Sequence, residues 1–223
     1  MLLRLTKQFV VGVIGRQRLN RLTSPLHDWV AQRRTAKRLR ALPSKGLRVN
    51  LGCGYKPLDG WLNLDMARGE QVDIVWNLLC GLPFASDSCE VIFGEHVIEH
   101  VLKTDAGRLL AECYRVLQPG GVLRISTPDA ERYLRSYASD GEFLRHPAFE
   151  HPIDAPIDRV NIVMREFGQH LWVYDAELLM LMFRRAGFPT VVRQEFRRSS
   201  SPLMEHVDSE ARAFESLYVE GIK

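Results

Sequence analysis

The run Leu47-Arg48-Val49-Asn50-Leu51-Gly52-Cys53-Gly54-Tyr55-Lys56 is followed closely by Gly60-Trp61-Leu62-Asn63-Leu64-Asp65. A short apolar segment turns into a glycine-broken loop, and a second apolar segment ends on a carboxylate. In a parallel α/β domain this order has a physical use. The first strand delivers a loop whose glycines let the backbone come close to a ligand. A helix after such a loop offers N–H groups to an anionic end, and an acid closing the second strand can accept from both hydroxyls of a ribose. The pattern is Gly-x-Gly without the third glycine of a dinucleotide fingerprint, and no Gly-Lys-Ser/Thr follows, so a dinucleotide and a P-loop are both disfavoured. Eleven positions separate Gly54 from Asp65, so the intervening helix is short or absent. If it is absent, the loop's own N–H groups must hold the anionic end.

Downstream, strand and helix signals alternate, which predicts a mostly parallel sheet with right-handed crossovers. Strands are expected at 47–51, about 61–65, 72–77 and 89–94. Thr104 is expected to cap a helix running to about Leu117, with Leu109, Leu110, Cys113, Val116 and Leu117 on its buried side. Gln118-Pro119-Gly120-Gly121 should stop that helix, and a fifth strand is expected over 122–127, ended by Pro128. Residues 138–171 carry Pro147, Pro152, Pro156 and several charges and little periodicity, as a lid or substrate loop would. Asp175 opens a helix to Arg185 that Gly187 stops, and strands are expected at 190–196 and 217–222.

The chain has 223 residues, enough for one domain with a full core and an appendage. Residues 1–46 hold eleven Lys or Arg against the single acid Asp28, while the rest holds 19 against 26. The expected division is therefore a basic helical extension, 1–46, and an acidic domain, 47–223. Within the extension, residues 2–15 read as a short amphipathic helix and a second helix runs from Pro25 to about Leu42, with 42–46 as linker. No apolar run reaches transmembrane length, and no small-residue cleavage site suggests a secretory signal. The basic helix suits leaning on the domain, an acidic partner, an organelle transit segment, or contact of residues 1–42 with an anionic membrane surface. Nucleic acid is not expected, since aromatics for stacking are few there and the body is acidic. Cys53, Cys80, Cys89 and Cys113 lack any CxxC spacing, which points to a reducing compartment rather than a zinc knuckle.

Four segments in order resemble the class I S-adenosylmethionine-dependent methyltransferases. They are Val49-Asn50-Leu51-Gly52-Cys53-Gly54, the acid Asp65, Gly81-Leu82-Pro83-Phe84-Ala85-Ser86-Asp87-Ser88, and Arg115-Val116-Leu117-Gln118-Pro119-Gly120-Gly121. Gly60-Trp61-x-Asn63-x-Asp65, His96-Val97-Ile98-Glu99-His100 and Ser216-Leu217-Tyr218-Val219-Glu220 are similar to a little-characterised bacterial branch met among genes for cell-surface polysaccharides. The resemblance implies a Rossmann-like α/β sheet, mostly parallel with an antiparallel last strand, and S-adenosylmethionine as cofactor. It implies methyl transfer to a small molecule or glycan precursor, with O-methylation first, in a cytoplasmic protein peripheral at most to the inner membrane face. A lipid or quinone headgroup acceptor and a non-catalytic methyltransferase-like scaffold stand as alternatives. Asn50 and Asn77 depart from the family pattern, which often has an acid at both places.

On that resemblance, Asn50, Gly52, Cys53, Gly54, Asp65, Met66, Asn77, Leu78 and Glu95 are the cofactor-binding candidates. The loop 52–55 would hold the methionyl tail, Asp65 the ribose, Met66 the adenine face, and Asn77 and Leu78 its edge. Glu95 would face the methionyl amine or the acceptor. His96, His100 and His170 are the candidate bases, because imidazole titrates near neutrality, and Tyr174 is a candidate acceptor contact. His96-x-x-Glu99-His100 also has the spacing of a zinc peptidase, but the order of the surrounding motifs explains the segment without metal, and none is expected.

Overall fold

The computed structural model describes residues 25–223, so the helix expected over 2–15 lies outside the described residues. Seven strands form one sheet: β1 (Leu47–Leu51), β2 (Leu62–Asp65), β3 (Ile74–Val75), β4 (Cys89–Glu95), β5 (Leu117–Pro128), β6 (Thr190–Gln194) and β7 (Ser216–Ile222), in the order β3-β2-β1-β4-β5-β7-β6. The pairs β2–β3, β1–β2, β1–β4 and β4–β5 are parallel, while β7 runs antiparallel to both β5 and β6. The chain order reverses between β1 and β4, which opens a crevice at their carboxyl ends.

The central strands are apolar on both faces because helices cover both sides. Val49, Leu64, Ile92 and Leu123 are wholly buried. Helix α2 (Lys103–Val116) turns Ala106, Leu109, Leu110, Cys113 and Val116 onto the sheet, a helical spacing that makes one apolar stripe. Each such leucine contributes about 1.5–3 kcal/mol by leaving water. Helix α5 (Ala176–Arg185) begins at Asp175, whose carboxylate accepts from Leu178 N at 2.8 Å, and ends before Gly187 in the left-handed region. Gly221 on β7 lets the Phe183 and Phe188 rings of this layer close on the strand, since a Cβ there would lie 2.6 Å from each.

Several boundaries differ from expectation. Leu102 rather than Thr104 occupies the N-cap of α2, and β5 begins at Leu117, ahead of Pro119-Gly120-Gly121. Cys89 pairs with Leu117 but Val91 with Val122, so the glycine pair is taken up as a wide bulge inside the strand. Strand β3 is two residues long instead of six: Asp73 N still donates to Asn63 O (2.9 Å), but Asn63 N gives its proton to the Asp73 carboxylate (2.9 Å) and not to a backbone carbonyl. The two closing strands are close to the expected spans.

The stretch 138–171, read as irregular, is a folded lobe. Helices α3 (Ala130–Ala138) and α4 (Pro156–Arg165) enclose Tyr133, Leu144, Val160 and Val163, with Phe143, Phe149 and Met164 packed against them. Pro156 starts α4 where its missing N–H costs nothing, and Asp158 accepts from the N–H groups of Asp154 and Ala155. Arg159 is buried over the Phe149 ring and donates to the Leu144 and His151 carbonyls, so a charge sits on the inner face of this helix and hides its periodicity.

Helix α1 (Pro25–Arg40) docks on the sheet edge at β3. Val75 N donates to the buried Thr35 Oγ1 at 3.1 Å, Arg38 approaches Asp73 at 3.7 Å, and Leu39 and Leu42 pack on the core. Arg33, Arg34, Lys37, Arg38 and Arg40 line its exposed side.

Candidate active site

No helix separates β1 from β2; a turn carries the chain across. The turn is tied down from beneath. Asn50 and Asn63 are register partners on neighbouring parallel strands, so their side chains share a face, and Asn50 Nδ2 donates to Asn63 Oδ1 at 2.9 Å and to Lys56 O at 3.2 Å. Asn63 also bonds both backbone groups of Leu58. Asn50 is thus a buried clamp under the loop, not a group facing the cofactor as expected. Cys53 is buried as well, with its N–H given to Leu64 O at 2.9 Å, and burial pushes its thiol up to about 11. Its expected role passes to its backbone, which sets the loop's position.

Gly52 and Gly54 both have left-handed φ, +60° and +51°. A Cβ on Gly52 would lie 2.4 Å from Val97 Cγ2, so the loop after β1 rests against the turn after β4. Asp65, half-buried at the end of β2, accepts from Gly54 N through Oδ2 (2.9 Å) and from Ala67 N through Oδ1 (2.6 Å). Each carboxylate oxygen has a further lone pair to offer a hydroxyl. Met66 is exposed beside it, and Asn77, exposed, caps the short turn Leu78–Cys80 by accepting from Leu79 N. Loop N–H groups at Cys53, Gly54 and Lys56 are used internally, which removes three of the donors expected for an anionic end. Gln71, unremarked in the sequence, donates to Gly54 O at 2.8 Å and holds the loop's tip.

Glu95 closes β4 facing Lys56 Nζ at 3.7 Å and accepting from Ser209 N at 2.9 Å; burial raises its carboxyl above the usual range. The loop carrying Ser209 therefore reaches over the crevice. It is anchored by Arg124, wholly buried on β5, which donates to Asp208 (2.6 and 2.8 Å), to its register partner Glu220 on β7 (2.8 Å), and to the carbonyls of Glu195 and Arg198.

The three histidines take different places. His96 follows β4 with φ +51°, a strained conformation for a non-glycine residue. Ser216 gives its hydroxyl proton to Arg212 O, so at the 2.8 Å contact it accepts from His96 Nε2. Burial, more than the nearby Arg212, holds His96 well below its usual pKa and therefore neutral. Glu99, at 1% exposure, is raised by burial to about 8, with Thr127 Oγ1 donating to its Oε2 at 3.1 Å. His100 is exposed and meets His170 edge to face at 4.8 Å. The sequence brings this pair together only through the fold: Leu171 N and Trp172 N both donate to Glu99 O, pinning 170–172 to the 98–100 turn. Tyr174, expected at the acceptor, is instead fully buried with its hydroxyl 3.5 Å from Ile98 O, because its backbone bridges Asp129 inside the core.

The donor set suits S-adenosylmethionine at Gly54, Asp65, Met66, Asn77 and Leu78: a carboxylate for the ribose, an open glycine tip, and an apolar edge. Residues 50–125 match the family described as a methyltransferase domain. A protein of Mycolicibacterium smegmatis named a probable S-adenosylmethionine-dependent methyltransferase is 43% identical over 63 residues, 28% of this chain and 24% of that one. Malonyl-[acyl-carrier protein] O-methyltransferase 1 of Coxiella burnetii is 39% identical over 71 residues, 31% of this chain and again 24% of that one. The chain thus spans about a quarter of the curated relatives it matches. The crystal structure of an S-adenosylmethionine-dependent methyltransferase from Thermotoga maritima shares the fold, with 23% identity, a TM-score of 0.50, and 91% of this chain and 96% of that one covered. The match over residues 50–125 and the shared fold make this chain similar to S-adenosylmethionine-dependent methyltransferases, with the glycine loop and Asp65 inside the matched segment.

Proposed function

We propose that the protein transfers the methyl group of S-adenosylmethionine to an oxygen of a small molecule or glycan precursor. The observation that carries this reading is the contact of Gly52 with Val97, which sets the cofactor loop directly against the turn bearing Glu99 and His100. When bound, S-adenosylmethionine supplies both the activated methyl and the leaving group, so the chain's work is alignment. Asp65 would hold the ribose and Met66 with Leu78 would cover the adenine, while the tail would lie along the glycine turn 52–54, where the missing side chains leave it room. Taking up the acceptor's hydroxyl proton falls to the group around Glu99, His100 and His170, of which the two histidines stand nearest solvent. One matched relative is named an O-methyltransferase, which favours an oxygen acceptor.

The test is release of S-adenosylhomocysteine from labelled cofactor across a panel of sugar, phenol and carboxylate acceptors, with the product bond identified by mass spectrometry. Acceptor-dependent turnover to an O-methyl product that falls in His100→Ala is expected. Cofactor binding without transfer to any acceptor would favour a methyltransferase-like scaffold instead. The exposed basic side of α1 favours a second reading, in which the acceptor is a lipid or quinone headgroup at an anionic surface. Vesicles containing phosphatidylglycerol should then sediment the full chain and lose it when those arginines become glutamine. Among the described residues no helix is long and apolar enough to cross a membrane.

A further inference from the structure

We propose that Glu99, His100 and His170 form a binding site for one divalent first-row transition-metal ion. Their donor atoms lie within 4.8 Å of one another. The site's place beside the acceptor rests on the methyl-transfer reading; the binding of the ion does not.

The local chemistry is that of a ligand set. Thr127 fixes Oε2 of Glu99, whereas Oε1 is buried and receives no hydrogen bond: His96 Nδ1 lies 3.3 Å away, but His96 carries its proton on Nε2, toward Ser216. A buried carboxylate oxygen left without a donor is costly, and a cation would satisfy it. Both histidines turn Nδ1 to a backbone carbonyl, His100 to Gln169 O at 3.2 Å and His170 to Val163 O at 2.5 Å. A carbonyl only accepts, so each Nδ1 carries the proton and each Nε2 the lone pair. Metal-ligating histidines are oriented in this way by their outer hydrogen bonds.

Burial is graded across the three residues, with Glu99 inside, His170 intermediate and His100 exposed. The ion would be gripped from the protein side and keep an open position toward solvent, as catalytic two-histidine, one-carboxylate sites do. Bonds of about 2.0–2.2 Å place tetrahedral donors roughly 3.3 Å apart, so the set must contract by about 1.5 Å. His100, the exposed member, is the one with room to move, and its approach would draw on its contact with Gln169 O. The His-x-x-Glu-His spacing is not how the set assembles, because His96 turns away to Ser216 and the second imidazole comes from His170. Imidazole nitrogen disfavours magnesium and calcium, and an ion held here would bind and acidify an acceptor hydroxyl, its proton leaving to water on the exposed side, since the ligating histidines could not then take it up.

The experiment is titration of chelator-stripped, full-length protein with Zn²⁺, Co²⁺ and Mg²⁺, following heat and the visible absorption of Co²⁺. One equivalent of Zn²⁺ or Co²⁺ should bind, with the spectrum of a four-coordinate nitrogen–oxygen site, and Mg²⁺ should not compete. His100→Ala, at an exposed position that leaves the fold intact, should weaken binding about 100-fold or more, and Thr127→Val about tenfold. His206→Ala, an exposed histidine outside the set, should change nothing. Absence of saturable binding, or binding that survives His100→Ala, overturns the proposal. The same samples titrated with S-adenosylhomocysteine separate the two readings. Metal-free protein that methylates an acceptor at full rate sinks the metal role alone. A folded protein that binds Co²⁺ but not S-adenosylhomocysteine sinks methyl transfer alone.

Discussion

Replacing Gly52 by alanine tests how the cofactor loop is held. At φ +60° an alanine meets the left-handed cost of about 1–2 kcal/mol. Its Cβ would also sit 2.4 Å from Val97 Cγ2 and 3.2 Å from Cγ1. Val97 is stiff and lies between the strained His96 and the buried Ile98, so it cannot retreat without moving the turn. Overpacking of this kind costs about 1–3 kcal/mol, giving a total of about 2–5 kcal/mol. Gly54→Ala is the control: φ is +51°, but its Cβ would meet only Gly52 O at 4.0 Å, so the conformational cost stands alone. Urea unfolding should rank Gly52→Ala clearly below Gly54→Ala. Adding Val97→Ala to Gly52→Ala should give back about 1–2 kcal/mol relative to additivity. Calorimetry with S-adenosylhomocysteine should show the larger loss of affinity in Gly52→Ala. Equal stability of the two alanine variants would refute the claim that Val97 props the loop.

Tyr174→Phe should leave methyl transfer unchanged and cost less than about 1 kcal/mol, since the buried hydroxyl reaches Ile98 O only at 3.5 Å; a large fall in kcat with intact stability would put the tyrosine back at the acceptor. Glu112, which accepts from Arg115 and from Leu82 N, is held down to about 2, first by the Arg115 hydrogen bond. A depressed carboxyl contributes stability above its unfolded pKa of 4.5 and loses it as pH falls toward 2. Because Arg115 is more than a third exposed, screening reduces this to about 1 kcal/mol, and thermal melts of Glu112→Gln should show a flatter acid limb than the parent. Arg124→Met leaves Asp208 and Glu220 buried without their cation and should cost about 3–5 kcal/mol in urea unfolding.

The parts readable from sequence were those written in local periodicity. The β1–loop–β2 stretch, helix α2 and the Asp175 cap of α5 follow from apolar spacing and turn chemistry, and the structure has them within a few residues. What escaped depends on register and on contacts between distant segments. Asn50 resembles a ligand-facing residue until parallel pairing sets it beside Asn63. Arg124 gives no signal that Glu220 and Asp208 will meet it inside the core. Helix α4 is masked by the inward-facing Arg159, and Tyr174 follows the exposed Leu171 and Trp172 by two or three residues yet points into the core. The pairing of His100 with His170 exists only because Glu99 O holds the backbone at Leu171 and Trp172. Sequence offered the histidines as bases and Glu99 only within a zinc-peptidase spacing that the surrounding motifs explain without metal; its partner Thr127 lies on a strand that the spacing does not reach.

Titration of the purified protein with S-adenosylhomocysteine, beside Asp65→Ala, tests the central claim most directly. Asp65 both fixes the loop through Gly54 N and Ala67 N and offers its remaining lone pairs to the ribose. Micromolar binding, about −8 kcal/mol, that Asp65→Ala weakens by at least about 1.5–3 kcal/mol is the predicted result. Absence of binding by the folded parent, or full affinity in Asp65→Ala, would contradict the account.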